Sequence, residues 1–468
     1  MASSRTSARI TTVDAGSACW SAGCCQLNWS ASIKIAVCRL IPEIRPPPWC
    51  RPVARRCETG QTADTRDSAS QRGAHSMTWL KRLLAVVSFL SCAMVAAFFL
   101  LGPQWVDRNS NQLRGDPGRA PTPETRVFHE QLIVGDLHAD SALWGKDLLH
   151  RNDWGQVDLP RLIEGGATLQ MFTTVTKSPR GQNYEQNASD TADSITLLAM
   201  AQRWPAETYD SLFARAMLQA DRVQAAAKQS PQLMMITNQT ELSDLLTRRS
   251  GGNSIVGALL GTEGSHALDG KLRNIGALHE AGFRMMGLHH FFDNRLGGSL
   301  HGESQVGLTP FGEQAVLSMQ KKGIMIDVAH SSEATVRDTL RLTGGAALIV
   351  SHTGFDGHCP SPRNISDETM ALITEAGGLI GVGFWADVTC GEGVDAIASA
   401  IQYGVERFGV DHIALGSDWD GSVTTPIDAS QLPHLTQALL DTGLTESEVR
   451  AVMGGNMARF LAQHLPPG

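Results

Sequence analysis

A His-x-Asp pair closes a short apolar run. The run reads LIVGDLHAD, from Leu132 to Asp140, and places His138 and Asp140 at the end of a strand-like segment. An imidazole and a carboxylate at the tip of a buried strand need partners, because an unpaired polar or charged group there costs free energy. A divalent metal ion would satisfy both side chains. The pair therefore predicts a metal site with further ligands downstream.

Further polar residues follow later apolar runs: Glu263 in LLGTEGSHAL, His289 and His290 in GLHH, His330 in IMIDVAHSS, His352 in LIVSHTG and Asp418 in IALGSDWDG. A lone histidine is more often a satisfied structural group, but here the pattern repeats run after run. His138, Asp140, Glu263, His330 and His352 exceed the four ligands of one tetrahedral ion. They suit two divalent ions that share a carboxylate, activate water and polarise a carbonyl, which predicts hydrolysis.

Apolar runs that alternate with longer helical stretches must position these residues. The predicted strands are Leu132–Leu137, Thr168–Thr174, Ile255–Gly261, Arg284–Leu288, Ile324–Val328, Ala347–Ser351, Leu379–Gly383 and His412–Gly416. This alternation predicts an α/β fold with a parallel sheet, and the number of units favours a (β/α)8 TIM-type barrel. The alternative is a doubly wound open sheet, but no glycine-rich dinucleotide motif follows a strand. In a barrel the polar residues would meet at the carboxyl ends of the strands.

An uncharged apolar run precedes this domain. Leu83 to Gly102 contains 20 residues without a charge and follows Lys81 and Arg82. A helix of that length spans about 30 Å, the thickness of a bilayer core. We interpret residues 77–108 as a transmembrane signal anchor, with the later domain on the extracytoplasmic side. A cleaved signal peptide, which would give a secreted protein, is the alternative. Residues 109–125 are polar and contain proline and glycine, and are predicted to tether the domain at 126–468.

Residues 1–76 differ from the rest of the chain in charge and cysteine content. They hold ten Lys and Arg against five Asp and Glu, and six of the nine cysteines, whereas the whole chain has a net charge of −8. We predict a poorly structured leader and hypothesise that translation starts at Met77. Because the remainder is acidic, nucleic acid is not expected as its partner. Only Cys359 and Cys390 remain for the domain, without a C-x-x-C pair for zinc.

Seven segments from about Thr125 onward resemble the membrane dipeptidases of the renal type, in the order of that family. They are GDLHADSALW, VDLPRLIEGGATLQMF, TEGSHAL, GLTPFGEQAV, IDVAHSS, SHTGFDGHCPSPRNISDE and HIALGSDWDG. The resemblance implies a barrel that cleaves dipeptides with two zinc ions, including dipeptides with a C-terminal D-residue, and it allows a homodimer. Manganese, cobalt or iron would also accept such ligands.

The same resemblance implies roles for individual residues. Glu263 would bridge the ions, His138 and Asp140 would bind one of them, and His330 and His352 the other. His290 would stabilise the oxyanion, Arg363 would pair with the substrate carboxylate, Asp418 would handle protons at the amine, and Cys359 would form a disulfide with Cys390. From the residues alone, His289 could replace His290, Arg363 could form a surface salt bridge, and the two cysteines could be buried thiols.

The sequence departs from the family in the segments around the predicted site. The first strand ends in GDLHAD instead of DGHND, the loop HHFFDNRLGGSLHGESQVG differs in composition, and Asp387 stands where a tyrosine is expected. Trp144, Phe291, Phe292 and Trp419 could line the pocket or pack in the core. A related amidohydrolase that acts on another amide or lactone is the second functional reading. A non-catalytic binding module would be expected to lack ligands, and none is missing.

Overall fold

A computed structural model describes residues 70–468 of the chain. Residues 1–69 lie outside the described part. They include most of the predicted leader and all six of its cysteines. Of the described helices, α1 (Ser70–Leu100) is long and apolar enough to cross a membrane by length and composition, over Trp79–Leu100. The same properties fit a signal sequence. Gly102–Ser110 then forms α2.

The remaining helices surround a parallel sheet. They are α3 (Pro123–His129), α4 (Leu159–Glu164), α5 (Ser194–Ala201), α6 (Leu212–Gln229), α7 (Gln239–Ser250), α8 (Arg273–Glu280), α9 (Pro310–Lys321), α10 (Glu333–Thr343), α11 (Asp367–Glu375), α12 (Ala386–Thr389), α13 (Val394–Phe408), α14 (Leu432–Asp441), α15 (Glu446–Arg450) and α16 (Asn456–His464). Many begin at a Ser, Thr, Asp or Asn whose side chain accepts a backbone N–H of the first turn, as Thr309 does for α9. Polar residues at these boundaries therefore fix where the helices start.

The sheet contains nine strands. They are β1 (Val134–Ala139), β2 (Ala167–Val175), β3 (Leu233–Met235), β4 (Val256–Glu263), β5 (Phe283–Gly287), β6 (Met325–Asp327), β7 (Leu348–Thr353), β8 (Leu379–Val382) and β9 (Ile413–Leu415). All strand pairs are parallel, and a β2–β4 pairing closes eight strands into a ring. β3 lies outside this ring and pairs with β4 over Val256–Ala258, while β5 takes Leu260–Thr262. The predicted (β/α)8 TIM-type barrel is confirmed.

An apolar cluster fills the barrel interior. Each of the eight ring strands contributes to it, with Leu137, Leu169, Met171, Leu259, Met285, Met325, Ile349, Leu379 and Ala414. Adjacent strand residues such as Leu260 and Met286 belong to a second cluster that includes the surrounding helices, so the two clusters lie on opposite faces of the sheet. Met457 and Phe460 of α16 join the interior cluster. The barrel is therefore a packed core, which leaves the carboxyl ends of its strands for chemistry.

The predicted tether at 109–125 and the end of the predicted anchor segment at 77–108 are both fixed to the barrel. Trp154 Nε1 donates to Asp107 Oδ2 at 2.8 Å, the Ser422 amide donates to Asn111 Oδ1 at 2.8 Å, and Leu113 pairs with Thr425. Asp107 and Asn111 are buried. The segment that follows the apolar helix therefore belongs structurally to the barrel.

Candidate metal centre

One serine hydroxyl holds two histidines at the carboxyl ends of β1 and β7. Ser351 Oγ donates to Asp327 Oδ2 at 2.7 Å, so it accepts from Nδ1 of His138 at 3.0 Å and from Nδ1 of His352 at 2.9 Å. With Nδ1 protonated, each neutral ring keeps a lone pair on Nε2. Both rings are therefore in the tautomer that metal binding through Nε2 requires.

Glu263, the last residue of β4, lies between four imidazoles. Its Oε1 is 3.5 Å from Nε2 of His138, 3.4 Å from that of His330 and 3.5 Å from that of His352, and its Oε2 is 3.4 Å from Nε2 of His290. These separations are longer than ordinary hydrogen bonds. Two ligand atoms each about 2.1 Å from one tetrahedral ion are about 3.4 Å apart. The spacing fits ligands that converge on metal ions.

Two further carboxylates face His138. Its Nε2 lies 3.6 Å from Asp140 Oδ1 and 3.8 Å from Asp418 Oδ1, and has no hydrogen-bond partner among the described residues. Burial alone would lower the pKa of His138, but Asp140, Glu263 and Asp418 raise it to about 10. Burial, with help from Asp140, raises the pKa of Glu263 well above its usual range and that of Asp418 to about 8. Crowded carboxylates of this kind favour a bound cation.

The ligand atoms form two overlapping groups, each within 4.8 Å: His138, Glu263, His352 and Asp418 in one, and Glu263, His290 and His330 in the other. Glu263 belongs to both groups, as a bridging carboxylate would. The grouping places His352 beside His138, whereas the sequence pairs His352 with His330. Nε2 of His330 and Nε2 of His352 are nevertheless only 3.0 Å apart. The donor set fits divalent metal, and the division of ligands between ions stays a prediction.

The two adjacent histidines after β5 have different surroundings. His290 Nδ1 donates to the Lys177 carbonyl at 3.1 Å, which turns Nε2 toward Glu263. Nδ1 of His289 instead lies 3.1 Å from Ser331 Oγ. Burial lowers the pKa of both rings to about 4. Of the two histidines that the sequence left open, His290 is the one that faces the site.

Arg363 lies beside the histidines and is only 1% exposed. Its Nη2 donates to the His352 carbonyl at 3.1 Å and lies 3.3 Å from Nε2 of His330. Its Nη1 is buried and has no hydrogen-bond partner among the described residues. A guanidinium with a free donor at this depth needs an anion. Arg363 is not in a surface salt bridge.

Left-handed backbone supports two of the site residues. His330 has φ of 59° and Asp418 has φ of 60°, which is uncommon for residues other than glycine. Such conformations cost of order 1–3 kcal/mol and persist where the surrounding structure holds them. The loops after β6 and β9 therefore hold these residues under strain.

Sequence reasoning did not single out the supporting polar residues. Asp327 orients Ser351, and Asp136 accepts from the Ser417 amide at 2.7 Å and from Gln170 Nε2 at 2.6 Å. Both acids are buried and lie within β6 and β1. An acid inside an otherwise apolar strand was the available signal, because such a group must be hydrogen-bonded.

The aromatic candidates divide between the site and the core. The ring of Phe291 lies 4.8 Å from that of His290 and 5.0 Å from that of His330. Trp419 is fully buried and donates to the Ile427 carbonyl, Phe292 packs on His266, and Trp144 donates to the Asp420 carbonyl. Of these four residues, Phe291 is the one in contact with the candidate ligands.

A disulfide joins Cys359 and Cys390. It connects the loop after β7, which carries Arg363, to the end of α12 after β8. The predicted disulfide is confirmed, and the alternative of two buried thiols is wrong. The bond fixes the loop that positions the free guanidinium.

A family model for the membrane dipeptidases, peptidase family M19, matches residues 124–464. The chain belongs to this family. Its reaction class is metal-dependent hydrolysis of dipeptides, as the sequence motifs predicted. The chain is 26% identical over 404 residues to dipeptidase aclJ of Aspergillus oryzae (strain ATCC 42149 / RIB 40), an alignment that covers 82% of this chain and 89% of the relative. It is 27% identical to dipeptidase tcpJ of Claviceps purpurea (strain 20.1), over 66% of this chain and 69% of that one.

Solved structures share the barrel fold of this chain. The probable dipeptidase PvdM of Pseudomonas aeruginosa aligns with a TM-score of 0.61 at 17% identity, over 73% of this chain and 98% of PvdM. A metallopeptidase of Rhodobacter sphaeroides, solved with a phosphinate mimic of the dipeptide L-Ala-D-Ala, aligns with a TM-score of 0.57 at 22% identity, over 71% of this chain and 99% of that one. At these identities the likeness establishes the barrel fold.

Proposed function

We propose that the chain is a membrane-anchored dipeptidase that uses two zinc ions on the extracytoplasmic side of a membrane. The observation that carries this proposal is the position of Glu263, whose two oxygens lie 3.4–3.5 Å from the Nε2 atoms of four histidines. Asp140 and Asp418 add carboxylate oxygens beside His138. This donor set exceeds the four ligands of a single tetrahedral ion.

The ligands proposed for the ions are His138, Asp140, Glu263, His330 and His352, with Glu263 shared. When bound, divalent ions supply a Lewis acid for the scissile carbonyl and lower the pKa of water. Ser351 keeps the Nε2 atoms of His138 and His352 free to bind, and Thr173 orients Asp140 through a 2.5 Å hydrogen bond. These hydrogen bonds orient the two rings and the carboxylate so that their ligand atoms face the proposed ions.

Arg363 is proposed to bind the C-terminal carboxylate of the dipeptide. Its unpartnered Nη1 is the donor available for this contact, and its other contacts hold the guanidinium in place. A planar guanidinium matches a carboxylate in geometry and charge. A carboxylate held at a fixed distance from the metal ligands would restrict hydrolysis to the peptide bond that precedes a C-terminal residue.

His290 and Asp418 are proposed to face the reacting bond. Because Nδ1 of His290 donates to the Lys177 carbonyl, Nε2 can donate to an oxyanion only when the ring carries both protons. Burial disfavours that form, and the negative charge of the oxyanion would favour it. Asp418 faces the site from the loop after β9 and can carry a proton to the leaving amine. The two residues therefore divide proton handling between the oxyanion and the amine.

Metal content and activity of the same preparation test the proposed centre. We expect two equivalents of zinc per full-length chain by inductively coupled plasma mass spectrometry, and dipeptide hydrolysis that a chelator removes and zinc restores. One equivalent in fully active enzyme would contradict the binuclear centre. Full activity with manganese, cobalt or iron alone would contradict zinc while leaving the two sites in place.

The role of Arg363 separates a dipeptidase from an amidohydrolase of other amides. We expect Arg363→Gln to raise KM for a dipeptide by roughly 10- to 100-fold, because a charge-assisted pair contributes about 1.5–3 kcal/mol. The exposed Arg341→Gln is the matched control, since Arg341 pairs with Glu313 on the surface. A C-terminally amidated dipeptide should be a poor substrate of the unaltered enzyme. Equal rates for acid and amide would remove this role and favour the second reading.

Stereochemical preference and assembly belong to the same proposal. The Rhodobacter sphaeroides neighbour was solved with a mimic of L-Ala-D-Ala, which supports acceptance of a C-terminal D-residue here. Comparing L-Ala-D-Ala with L-Ala-L-Ala checks this. The homodimer stays a prediction, which mass photometry of the detergent-solubilised protein would check.

Three observations support the proposed location. Lys81 and Arg82 precede the apolar run, which favours a cytoplasmic amino-terminal side. The Cys359–Cys390 disulfide is suited to an oxidising compartment. The side chains of α1 from Trp79 to Leu100 are not buried against the rest of the protein. Sequencing the amino terminus of the natural product would decide between an anchor and a cleaved signal, and would test translation from Met77.

A further inference from the structure

A second cavity lies where α1 ends against the barrel. Its volume is about 430 Å³. Phe99 and Pro103 form one wall, Trp144 and Trp154 of the loop after β1 form another, and Arg203 and Arg222 complete it. The cavity lining contains none of the proposed metal ligands. It is therefore a separate compartment from the catalytic centre.

The two arginines of this cavity differ from its other charged residues. Arg222 Nη1 donates to the Ala142 carbonyl at 2.7 Å and its Nη2 to Gln202 Oε1 at 3.2 Å, both uncharged acceptors. Burial lowers the pKa of Arg222 to about 10, with no carboxylate contributing to the shift. The guanidinium of Arg203 is exposed and lies 5.4 Å over the ring of Phe99.

The acids and the lysine nearby are already paired. Lys146 Nζ is 2.8 Å from Asp420 Oδ1, and both side chains are almost fully buried. Asp107 accepts from Asn111 at 2.8 Å and from Trp154 at 2.8 Å. Neither acid is in an ion pair with Arg203 or Arg222 in the described part of the chain. Within the described part of the chain, the cavity therefore presents two guanidinium groups that form no ion pair.

The position of the cavity along the chain gives its level relative to a membrane. The apolar run ends at Leu101, and the cavity is lined by Phe99, Leu100 and Pro103 around that point. Trp105, a few residues later, is 67% exposed. Tryptophan is enriched where the hydrocarbon core meets the headgroups. If α1 spans a bilayer, the cavity lies at the depth of lipid phosphates.

We propose that this cavity binds the headgroup of an anionic phospholipid, with Arg203 and Arg222 as the phosphate-binding residues. Guanidinium groups are well suited to phosphate oxygens because their donors are planar and paired. Phe99 and Leu100 would flank the start of an acyl chain. The inference rests on the membrane anchoring proposed above and extends it from a single helix to a specific lipid contact.

Arg203 is the residue of choice for a test. Arg222 also holds the Ala142 carbonyl, two residues beyond Asp140, so its loss would disturb the catalytic centre. Arg203 is exposed and contacts Phe99. Arg459→Gln is the matched control, because Arg459 pairs with Asp411 just before the amino end of β9, at the opposite end of the strands from the site.

Lipid retention by the full chain decides the proposal. Detergent-solubilised protein would be mixed with phosphatidylglycerol and phosphatidylcholine in equal amounts, and bound lipids counted by native mass spectrometry. We expect one retained phosphatidylglycerol and roughly tenfold weaker retention in Arg203→Gln, from the loss of a charge-assisted contact. Arg203→Lys should keep part of the binding, and Arg459→Gln all of it. Equal retention of the two lipids by the unaltered chain would overturn the site. Equal retention of phosphatidylglycerol by Arg203→Gln and Arg459→Gln would also overturn it.

Two further arms separate the possible sources of failure. In the first arm, inorganic phosphate is added at millimolar concentration. If it displaces the lipid completely and binds with the same affinity as the lipid, the cavity is a site for free phosphate and the lipid proposal is overturned. Dipeptide hydrolysis is measured on the same samples. Active enzyme without lipid selectivity overturns only the headgroup site, whereas inactive enzyme that retains phosphatidylglycerol overturns only the dipeptidase proposal. Release of the chain from membranes by alkaline carbonate would overturn the anchor and the headgroup site together.

Discussion

The carboxyl ends of the barrel strands carry polar and charged side chains, whereas the barrel interior carries apolar ones. The interior holds Met171, Met285, Met325 and other apolar side chains that satisfy one another by packing. The carboxyl ends hold histidines whose Nε2 atoms stand 3.4–3.8 Å from the neighbouring carboxylate oxygens, too far for ordinary hydrogen bonds. The interior is complete without a ligand, whereas the site requires cations. This difference implies that stability and catalysis can be altered separately.

The largest effect is expected from the shared carboxylate. Glu263→Gln removes the charge that both ligand groups use, so we expect hydrolysis to fall by at least about 10³-fold and bound metal to decrease. Unfolding by denaturant should change little, because the interior cluster is untouched. Activity per folded chain and metal content are the measurements, and the exposed Glu280→Gln is the control. Unimpaired hydrolysis would break the assignment of Glu263 as the bridge.

The converse change lies in the interior. Met285→Ala leaves a cavity in the cluster shared by all eight ring strands, so the free energy of unfolding should fall by about 2–5 kcal/mol. The kcat of metal-loaded, folded enzyme should stay close to that of the unaltered chain. The checks are urea denaturation and steady-state kinetics at a temperature where the variant is folded. A large fall in kcat with unchanged stability would show that the two regions are coupled.

A smaller effect, on metal affinity, is expected from the serine that orients two of the candidate metal ligands. Ser351→Ala removes the hydroxyl that accepts from Nδ1 of both His138 and His352. Metal affinity should weaken by roughly 10- to 100-fold, the usual cost of losing a partner that orients metal ligands. Competition with a calibrated chelator measures it, with the exposed Ser399→Ala as control. Unchanged affinity would mean that packing alone orients the two rings.

The smallest effect concerns a polar residue remote from the site. His129 is buried between Thr436 Oγ1 at 2.8 Å and the Gly165 carbonyl at 2.9 Å, and burial lowers its pKa. Its neutral form is favoured by folding, so its contribution is complete above the unfolded pKa and is lost as the pH falls toward the lowered folded value.

The pH dependence of unfolding for the unaltered chain and for His129→Gln tests this. Between about pH 7 and 5, the unaltered chain should lose more stability than the variant, by up to about 1.4 kcal/mol per pH unit. Parallel curves would show that His129 is as easily protonated in the folded as in the unfolded chain.

The strands of the ring were easier to predict from the sequence than the rest of the sheet. All eight ring strands overlap the predicted runs, because buried parallel strands are short continuous apolar runs. Six of them also have a candidate site residue at or just after their carboxyl end, which adds a second, independent signal. β3, with Leu233–Met235, has only three residues and no such ending, and it was missed. Chain position alone cannot show that it pairs beside β5 on the same edge of β4.

The candidate ligands were predictable for a similar reason, but their arrangement was not. His138, Glu263, His330 and His352 converge because carboxyl ends of parallel strands meet. Which histidines lie closest depends on the loop geometry after each strand, including the left-handed backbone at His330. The roles of Asp327 and Ser351 depend on hydrogen bonds between strands, which neither segment reveals alone.

If α1 anchors the chain in a membrane, as proposed, the contacts of Asp107 and Asn111 with the barrel set where the enzyme can be released without damage. A protease that cuts between Gly102 and Asp107 leaves Trp154 and the Ser422 amide with their acceptors. A cut closer to Thr125 takes those acceptors away with the membrane fragment and opens the barrel surface beneath them. Shedding an intact catalytic domain is therefore confined to a short stretch at the membrane surface.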